Sequence, residues 1–468
     1  MGNHKLRGKD LSKISYTSDR ARSLAINIIS KHFKHYTKNE QLTLLRQVRA
    51  SPGDYLEDIC LAALAQELMP VTKPEPGREI TLREAPVPVK LFGARHIDAN
   101  AIQQMETALR LPVARQGALM PDAHQGYGLP VGGVLATENA VIPYGVGLDI
   151  GCRMSLSLFE APAEYLKRHA YTLKMALKSR TNFGTGGILD LPQEHEVLDR
   201  REFRESDLLR QLHGKAVRQL GTSGSGNHFV EWGLMHLGEG NETGLPAGSY
   251  LALLSHSGSR GLGAAIARHY TGVARRQCLL PRQAQALAWL DLDTDAGQAY
   301  WQAMNLAGDY AKACHDRIHI NLGSYAGLKP LLTVENHHNF AWKETGDDGT
   351  EYIVHRKGAT PAAAGEWGLI PGSMTAPGYL VRGKGDATAL QSASHGAGRR
   401  YSRKRARESF TGSELRKTLR QAGVTLIGGG VDEAPGAYKD IEAVMHSQTE
   451  LVSIQGRFEP KIVRMDKN

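Results

Sequence analysis

The sequence predicts an α+β protein: a core of β-sheets flanked by helices over residues 79–468, preceded by a small α-helical appendage and linker over residues 1–78. Three observations predict it. The first 70 residues carry apolar positions at roughly helical spacing. Thr72-Lys-Pro-Glu-Pro-Gly-Arg78 then sets two prolines and a glycine among charges, where no helix continues. Beyond Val87, short β-like runs alternate with Gly-rich turns, without the regular βαβ alternation or internal repeat of a doubly wound sheet.

In chain order, residues 18–33 open on capping residues and place Leu24, Ile26, Ile28, Ile29 and Phe33 at helical spacing. A second helix is expected over 39–48 and a third over 53–69, separated by breaks at Tyr36-Thr-Lys and Ala50-Ser-Pro-Gly53. Gly132-Gly-Val-Leu-Ala136 and Leu251-Ala-Leu-Leu-Ser255 read as strands, and residues 163–179, 281–290 and 402–420 as helices.

A hydrophobic share of 41% in 468 residues supports a sizeable core, and 51 glycines imply many tight loops. The net charge of +9 favours a polyanionic partner, because Lys and Arg near phosphates release condensed counterions. The four cysteines, Cys60, Cys152, Cys278 and Cys314, have no paired spacing, so a disulfide framework is not expected and a reducing compartment is. With no signal-like start and no apolar run near the roughly 20 residues that span a bilayer, the expectation is a soluble, cytoplasmic protein with no membrane partner.

Chemistry concentrates at His395, in Gln391-Ser-Ala-Ser-His-Gly-Ala-Gly-Arg-Arg400. Imidazole can attack phosphorus, small residues let backbone N–H groups close around phosphate oxygens, and Arg399 can fork onto them. Taken alone, such a histidine also reads as a hydrogen-bonded turn residue. Five further segments surround metal-binding side chains with glycine or amide residues: Pro121-Asp-Ala-His-Gln-Gly-Tyr-Gly128, Gly145-Val-Gly-Leu-Asp-Ile-Gly-Cys152, Gly221-Thr-Ser-Gly-Ser-Gly-Asn-His228, Ser255-His-Ser-Gly-Ser-Arg-Gly-Leu-Gly263 and Glu335-Asn-His-His-Asn-Phe-Ala-Trp342. Singly, Cys152 reads as a small buried hydrophobe, His228 or His256 as a core histidine and Asp149 as a turn former. Together, carboxylate, thiolate and imidazole are the ligands of a first-row transition metal, with manganese, zinc and iron all open.

These segments, with His355-Arg-Lys-Gly-Ala359, Ile370-Pro-Gly-Ser-Met374 and Asp432-Glu-Ala-Pro-Gly-Ala-Tyr-Lys-Asp-Ile441, resemble the RtcB family of RNA ligases, in the family's order, from about Val87 to near the C-terminus. The resemblance implies that Asp149, Cys152, His228, His256 and His338 hold two manganese ions and that His395 is the nucleophile. It implies nucleotide contacts from Asn227, Glu231, Asn339, Pro371, Gly372, Ser373, Met374, Gly396, Ala397, Gly398, Arg399 and Tyr438. The implied reaction joins an RNA 3′-phosphate or 2′,3′-cyclic phosphate to a 5′-hydroxyl. It proceeds through histidine-linked GMP drawn from GTP and then a guanylylated 3′ end, in tRNA splicing or RNA repair.

Two departures stand out. Thr375-Ala-Pro-Gly378 follows Met374 where the family has a glycine and then a serine before the aromatic, and Arg464-Met-Asp-Lys-Asn468 places Lys467 out of register with the family's terminal Lys-Gly. Relaxed or altered base choice is the expectation. Arg399, Arg400, Arg403, Lys404, Arg405, Arg407, Arg416, Lys417 and Arg420 follow the nucleophile; the first few are expected on RNA phosphates and the distal ones as a solvated face. Two other readings remain, a non-ligating RNA-binding protein and a metal-dependent RNA end phosphodiesterase. Oligomeric state stays open between monomer and weak dimer.

Overall fold

In the computed structural model, which describes residues 6–56, 58–69, 77–346 and 349–466, the chain divides into two units, Met1–Glu75 and Pro76–Asn468. The first is built from α1 (Gly8–Ser12), α2 (Asp19–His32), α3 (Lys38–Ala50) and α4 (Ala62–Leu68). The Ser18 hydroxyl accepts from the Ala21 N–H at 2.9 Å and starts α2, while Thr37 and Glu40 form a reciprocal capping box at α3. Leu11, Tyr16, Ala25, Leu45, Val48 and Leu64 are fully buried between the helices. At roughly 1.5–3 kcal/mol per large apolar side chain, this cluster holds the helices together.

The expected helix over 53–69 is interrupted. Pro52–Tyr55 is a single 3-10 turn, and the Asp58 carboxylate accepts from the N–H groups of Cys60 and Leu61 at 2.8 and 2.9 Å, a local bond that competes with helix. The short α1 carries no periodic signal in the sequence. Of the expected linker, Thr72 to Pro76 lie outside the described residues, and Arg78–Glu79 pairs in parallel with Cys278–Leu279.

The second unit contains an eight-stranded sheet in the order Pro330–His337, Arg153–Phe159, Gly248–Ser257, Phe229–Leu237, Val452–Met465, Gly378–Gly383 and Trp367–Ile370, with Thr425–Ile427 added in parallel to Val452–Met465. Its other pairs are antiparallel. Every residue of Arg153–Phe159 is buried, because this central strand is covered on both faces. One cover includes the 32-residue helix Asp295–Ala326, whose Ile318 and Leu322 pack with Phe159, Trp232 and Leu253; Met154, Leu156 and Met235 fill the other face. A five-stranded sheet runs Asn339–Thr345, Glu351–Lys357, Val131–Thr137, Ala114–His124 and Val89–Leu91, and the pair Ala359–Pro361 with Ser392–Ser394 leads into His395.

The two predicted strands lie within Val131–Thr137 and Gly248–Ser257. The predicted helices are shorter than expected. Residues 163–179 divide into Ala163–Arg168 and Ala170–Arg180 at His169, whose φ of −110° leaves the helical range. Residues 281–290 form only the 3-10 segment Arg282–Leu287, since Leu290 and Asp291 are drawn into pairing with Val141 and Ala140. Residues 402–420 divide into Arg403–Ser409 and Gly412–Gln421, because Thr411 and Glu414 cap a new helix start. All four cysteines are free, and no helix of the described residues is long and apolar enough to cross a membrane.

Candidate active site

Strand ends and the turns beside them, more than free loops, carry the reactive side chains. Cys152 immediately precedes the strand Arg153–Phe159, His228 precedes Phe229–Leu237, and His256 lies within Gly248–Ser257. His338 sits between Pro330–His337 and Asn339–Thr345, and its N–H donates to the Cys152 carbonyl at 2.9 Å. Adjacent strands of one sheet thus deliver thiol and imidazoles to a common point. Asp149 is held from below by the Ser259 N–H, which donates to its carboxylate at 3.1 Å. A side chain at Gly258 would run into that carboxylate, so the backbone must approach here without a Cβ.

The resulting cluster is tight. Cys152 Sγ lies 3.3 Å from His228 Nε2 and 3.2 Å from His256 Nε2, His256 Nε2 lies 3.2 Å from His338 Nε2, and His228 Nε2 lies 3.0 Å from Asp149 Oδ2. His256 Nδ1 is 3.1 Å from the Asn227 carbonyl, which only an N–H can satisfy, so the neutral ring presents a bare Nε2 to the cluster. His228 Nδ1 and His338 Nδ1 are buried without a hydrogen-bond partner among the described residues. Burial, followed by the neighbouring imidazoles, keeps His256 neutral, with its pKa lowered to about 3, and pushes His338 well below the ordinary range. Burial, then the Asp149 charge, raises the Cys152 thiol well above its ordinary value. Burial alone would raise Asp149, but the His228 hydrogen bond and charge bring it below the ordinary carboxyl range.

Lone pairs converging at such distances repel unless a cation lies between them. The donor set therefore fits a transition metal: a carboxylate, a thiol that becomes thiolate beside a cation, and neutral imidazoles. Cys152, His228 and His256 alone bring their ligand atoms within 4.8 Å of one another.

Next to this cluster stands His395, its ring centroid 5.0 Å from that of His338. His395 Nδ1 lies 2.7 Å from Asp122 Oδ2, and the same oxygen accepts the His395 backbone N–H at 3.1 Å. Asp122 is completely buried near the end of the strand Ala114–His124. Burial pushes its carboxyl up, yet the His395 charge and hydrogen bond, with Lys439 and His124, hold it below the ordinary range. As a carboxylate it can only accept, so Nδ1 carries the proton and Nε2 the lone pair. Nε2 makes no hydrogen bond among the described residues. Gly398, at φ +72°, packs against the Asp122 carbonyl where any side chain would collide, and this seats the His395 loop on the strand end.

These groups line one cavity of about 330 Å³. Its wall includes Asp149, Cys152, His228, His256, His338 and His395, and also Asn227, Glu231, Asn339, Pro371, Gly372, Ser373, Met374, Gly396, Ala397, Gly398, Arg399 and Tyr438. The structure brings together every site residue that the sequence nominated. Glu231, paired with Val463 across the sheet, stands in the wall with its carboxyl pushed well above the ordinary range by burial.

The arginines depart from expectation. Arg399 does not stand open as a fork: its Nη1 donates to Glu433 at 3.0 Å, its Nη2 to the Asp432 carbonyl at 2.6 Å and its Nε to the Tyr401 carbonyl at 3.0 Å. Arg403 bonds Glu433 and Asp432, and Arg407 bonds Asp432 at 3.2 Å. Two buried carboxylates hold these three guanidinium groups, and a buried carboxylate left unpaired would cost several kcal/mol. Arg400 and Arg405 lie over the Tyr401 ring, while Lys404, Arg416, Lys417 and Arg420 remain exposed.

No individual role was expected of Asp122, His124, Lys357 or Glu433, and Arg403 was expected only within the basic run after the nucleophile. His124, Lys357, Arg403 and Glu433 line the cavity, and Asp122 acts on it through His395. All except Arg403 fall within segments already marked by their composition. Lys357 Nζ donates to the Tyr144 carbonyl at 3.3 Å and to the Tyr127 carbonyl, with its pKa lowered to about 7 by burial. Of the departures from the family pattern, Ala376 and Gly378 line the cavity, as do Val463 and Met465 of the last strand; Lys467 lies outside the described residues.

Comparison with known proteins gives a consistent picture. The family described as tRNA-splicing ligase RtcB matches residues 104–211 and 193–466. RNA-splicing ligase RtcB of Escherichia coli K12 is 31% identical over 404 residues, covering 80% of this chain and 96% of that protein. The tRNA-splicing ligase RtcB of Nanoarchaeum equitans is 30% identical, covering 81% and 95%, and that of Thermococcus kodakarensis is 29% identical, covering 74% and 86%.

Proposed function

Because the chain belongs to the RtcB family and is therefore an RNA ligase, we propose that its cavity joins an RNA 3′-phosphate or 2′,3′-cyclic phosphate end to a 5′-hydroxyl end through a GMP group carried on His395. The observation that carries the proposal is the Asp122–His395 pair. A buried carboxylate fixes the proton on Nδ1 and leaves Nε2 as a nucleophile on the cavity wall.

In the first step, the Nε2 lone pair forms a bond to the α-phosphorus of GTP as the bond to pyrophosphate breaks. The ring becomes cationic, and the Asp122 carboxylate balances that charge without moving a proton. A cyclic end is first opened by water to the 3′-phosphate. An oxygen of that phosphate then takes GMP from His395, which returns to neutral imidazole. Finally the 5′-hydroxyl attacks the activated 3′-phosphorus, losing its proton as GMP leaves.

Asp149, Cys152, His228, His256 and His338 would hold two manganese ions. Bound there, such ions supply Lewis-acid polarisation of phosphate oxygens. The other work belongs to the chain. Asn227 and Asn339 offer amide donors, the 371–374 turn and the 396–398 loop offer backbone N–H groups and close approach, and Tyr438 offers its ring. Glu231, on the same wall, is placed to hydrogen-bond a base or ribose. Arg399, tied to Glu433, stiffens the loop that bears His395.

A ligation assay with defined oligonucleotide ends, manganese and GTP tests the proposal. His395→Ala should abolish joining while opening of a cyclic phosphate persists; joining at the wild-type rate by that variant would refute it.

A further inference from the structure

The segment from the end of α2 through the turn to the start of α3 reads Lys31-His-Phe-Lys-His-Tyr-Thr-Lys38, eight residues without a carboxylate, and it lies outside residues 104–466 matched to the ligase family. The fold holds this turn rigid. Gln41 is 4% exposed, and its amide donates to the carbonyls of Phe33 at 3.2 Å and Tyr36 at 3.0 Å, pinning both ends of the bend. Phe33 packs on the core of the helical unit, and its ring supports Tyr36 edge-on at a centroid distance of 5.4 Å. Tyr36 itself is 46% exposed.

In the same segment, Lys31, His32, Lys34 and His35 are exposed, and none forms an ion pair among the described residues; Lys38 is tied, to Asp10 at 2.8 Å. Two exposed lysines with no ion-pair partner among the described residues add little to the stability of the unit that carries them. A half-exposed aromatic ring in the same segment as two exposed, unpaired lysines instead suits single-stranded nucleic acid. Any base can stack on the ring, and the cations meet the backbone phosphates. An acidic protein segment would use the cations but leave the tyrosine face idle.

We propose that this segment is a second RNA contact, made by residues other than those that line the ligase cavity, which takes unpaired RNA with a base on Tyr36 and phosphates on Lys31 and Lys34. The polyanion is named as RNA because the chain is an RNA ligase; the assignment of His395 does not enter.

Fluorescence anisotropy of the full-length protein with an unstructured RNA of roughly 15 nucleotides tests it. Tyr36→Ala should weaken binding about tenfold, whereas Tyr36→Phe, which keeps the stacking face, should bind like the wild type. Lys31→Ala with Lys34→Ala should lower the slope of log affinity against log salt by about 1.4, at about 0.7 per phosphate contact. Arg46→Ala with Arg49→Ala, roughly 12 Å or more along α3, removes the same charge from another place and should leave affinity and slope unchanged. Circular dichroism checks the fold, and the exposed pair Lys31→Glu and Lys34→Glu gives the same answer without touching the core. Wild-type affinity and slope in the Tyr36 and lysine variants would overturn the proposal, as would an equal loss in the arginine control. Repeating the series in His395→Ala keeps this outcome separate from that of the nucleophile, since RNA binding there should follow the same order.

Discussion

Asp122→Asn keeps the outline of the side chain but removes the charge that faces His395 Nδ1 at 2.7 Å. When Nε2 bonds to phosphorus, the ring gains a positive charge whose centre lies about 4 Å from the carboxylate. At an effective dielectric near 20 that attraction is worth roughly 4 kcal/mol. Its loss therefore slows the nucleotidyl step by about 10³-fold. The asparagine amide can also donate to Nδ1, which would move the ring proton to Nε2 and block the lone pair altogether. Complete burial of Asp122 keeps bulk solvent from substituting for either function. Single-turnover formation of the covalent nucleotidyl protein, followed with α-labelled GTP, reads the step directly. Metal content and GTP affinity should stay within about threefold of wild type, as expected for an interaction made mainly in the transition state. A labelling rate within about threefold of wild type would refute the assigned role of Asp122.

Other outcomes follow from the same geometry. Cys152→Ser should lower manganese affinity by about 100-fold, measured as metal content after dialysis; full retention of two ions would contradict Cys152 as a ligand. Gly258→Ala should displace the Asp149 carboxylate and lose metal in the same assay, with normal retention contradicting the close approach. Lys357 has a folded pKa of about 7, below its unfolded value, so the unfolded chain binds more protons between about pH 7 and 10. Metal-free wild type should thus gain stability relative to Lys357→Met by up to about 1.4 kcal/mol per pH unit across that window, and parallel denaturation curves would show that the buried amine is not the cause. The departures at Thr375 to Gly378 and in the tail predict covalent labelling from ATP as well as GTP; labelling from GTP alone would show strict base choice.

Much of the cavity was legible because its side chains lie in short segments that resemble the ligase family's motifs in order. Cys152, His228 and His256 stand among glycines that neither helix nor strand favours, so the chemistry shows through. Asp122 lay in a marked segment, but its action on His395 was hidden, because the two residues are 273 positions apart. The pairing of Arg399 and Arg403 with Glu433 was hidden likewise, since a basic run does not display the carboxylates that fold back onto it. In the helices, apolar periodicity carried the expectation through 53–69 and 402–420, whereas single local bonds, from Asp58 and at the Thr411–Glu414 box, end them. Such competition is decided by one or two hydrogen bonds, each worth roughly 1 kcal/mol, below what periodicity resolves.

Central to the account is that one ring nitrogen, Nε2 of His395, carries the nucleotide. Protein incubated with manganese and GTP, then digested at alkaline pH, where a phosphoramidate survives, should yield a GMP adduct on the peptide containing His395, read by mass spectrometry. A GMP adduct on any other residue, or its persistence in His395→Ala, would contradict that claim.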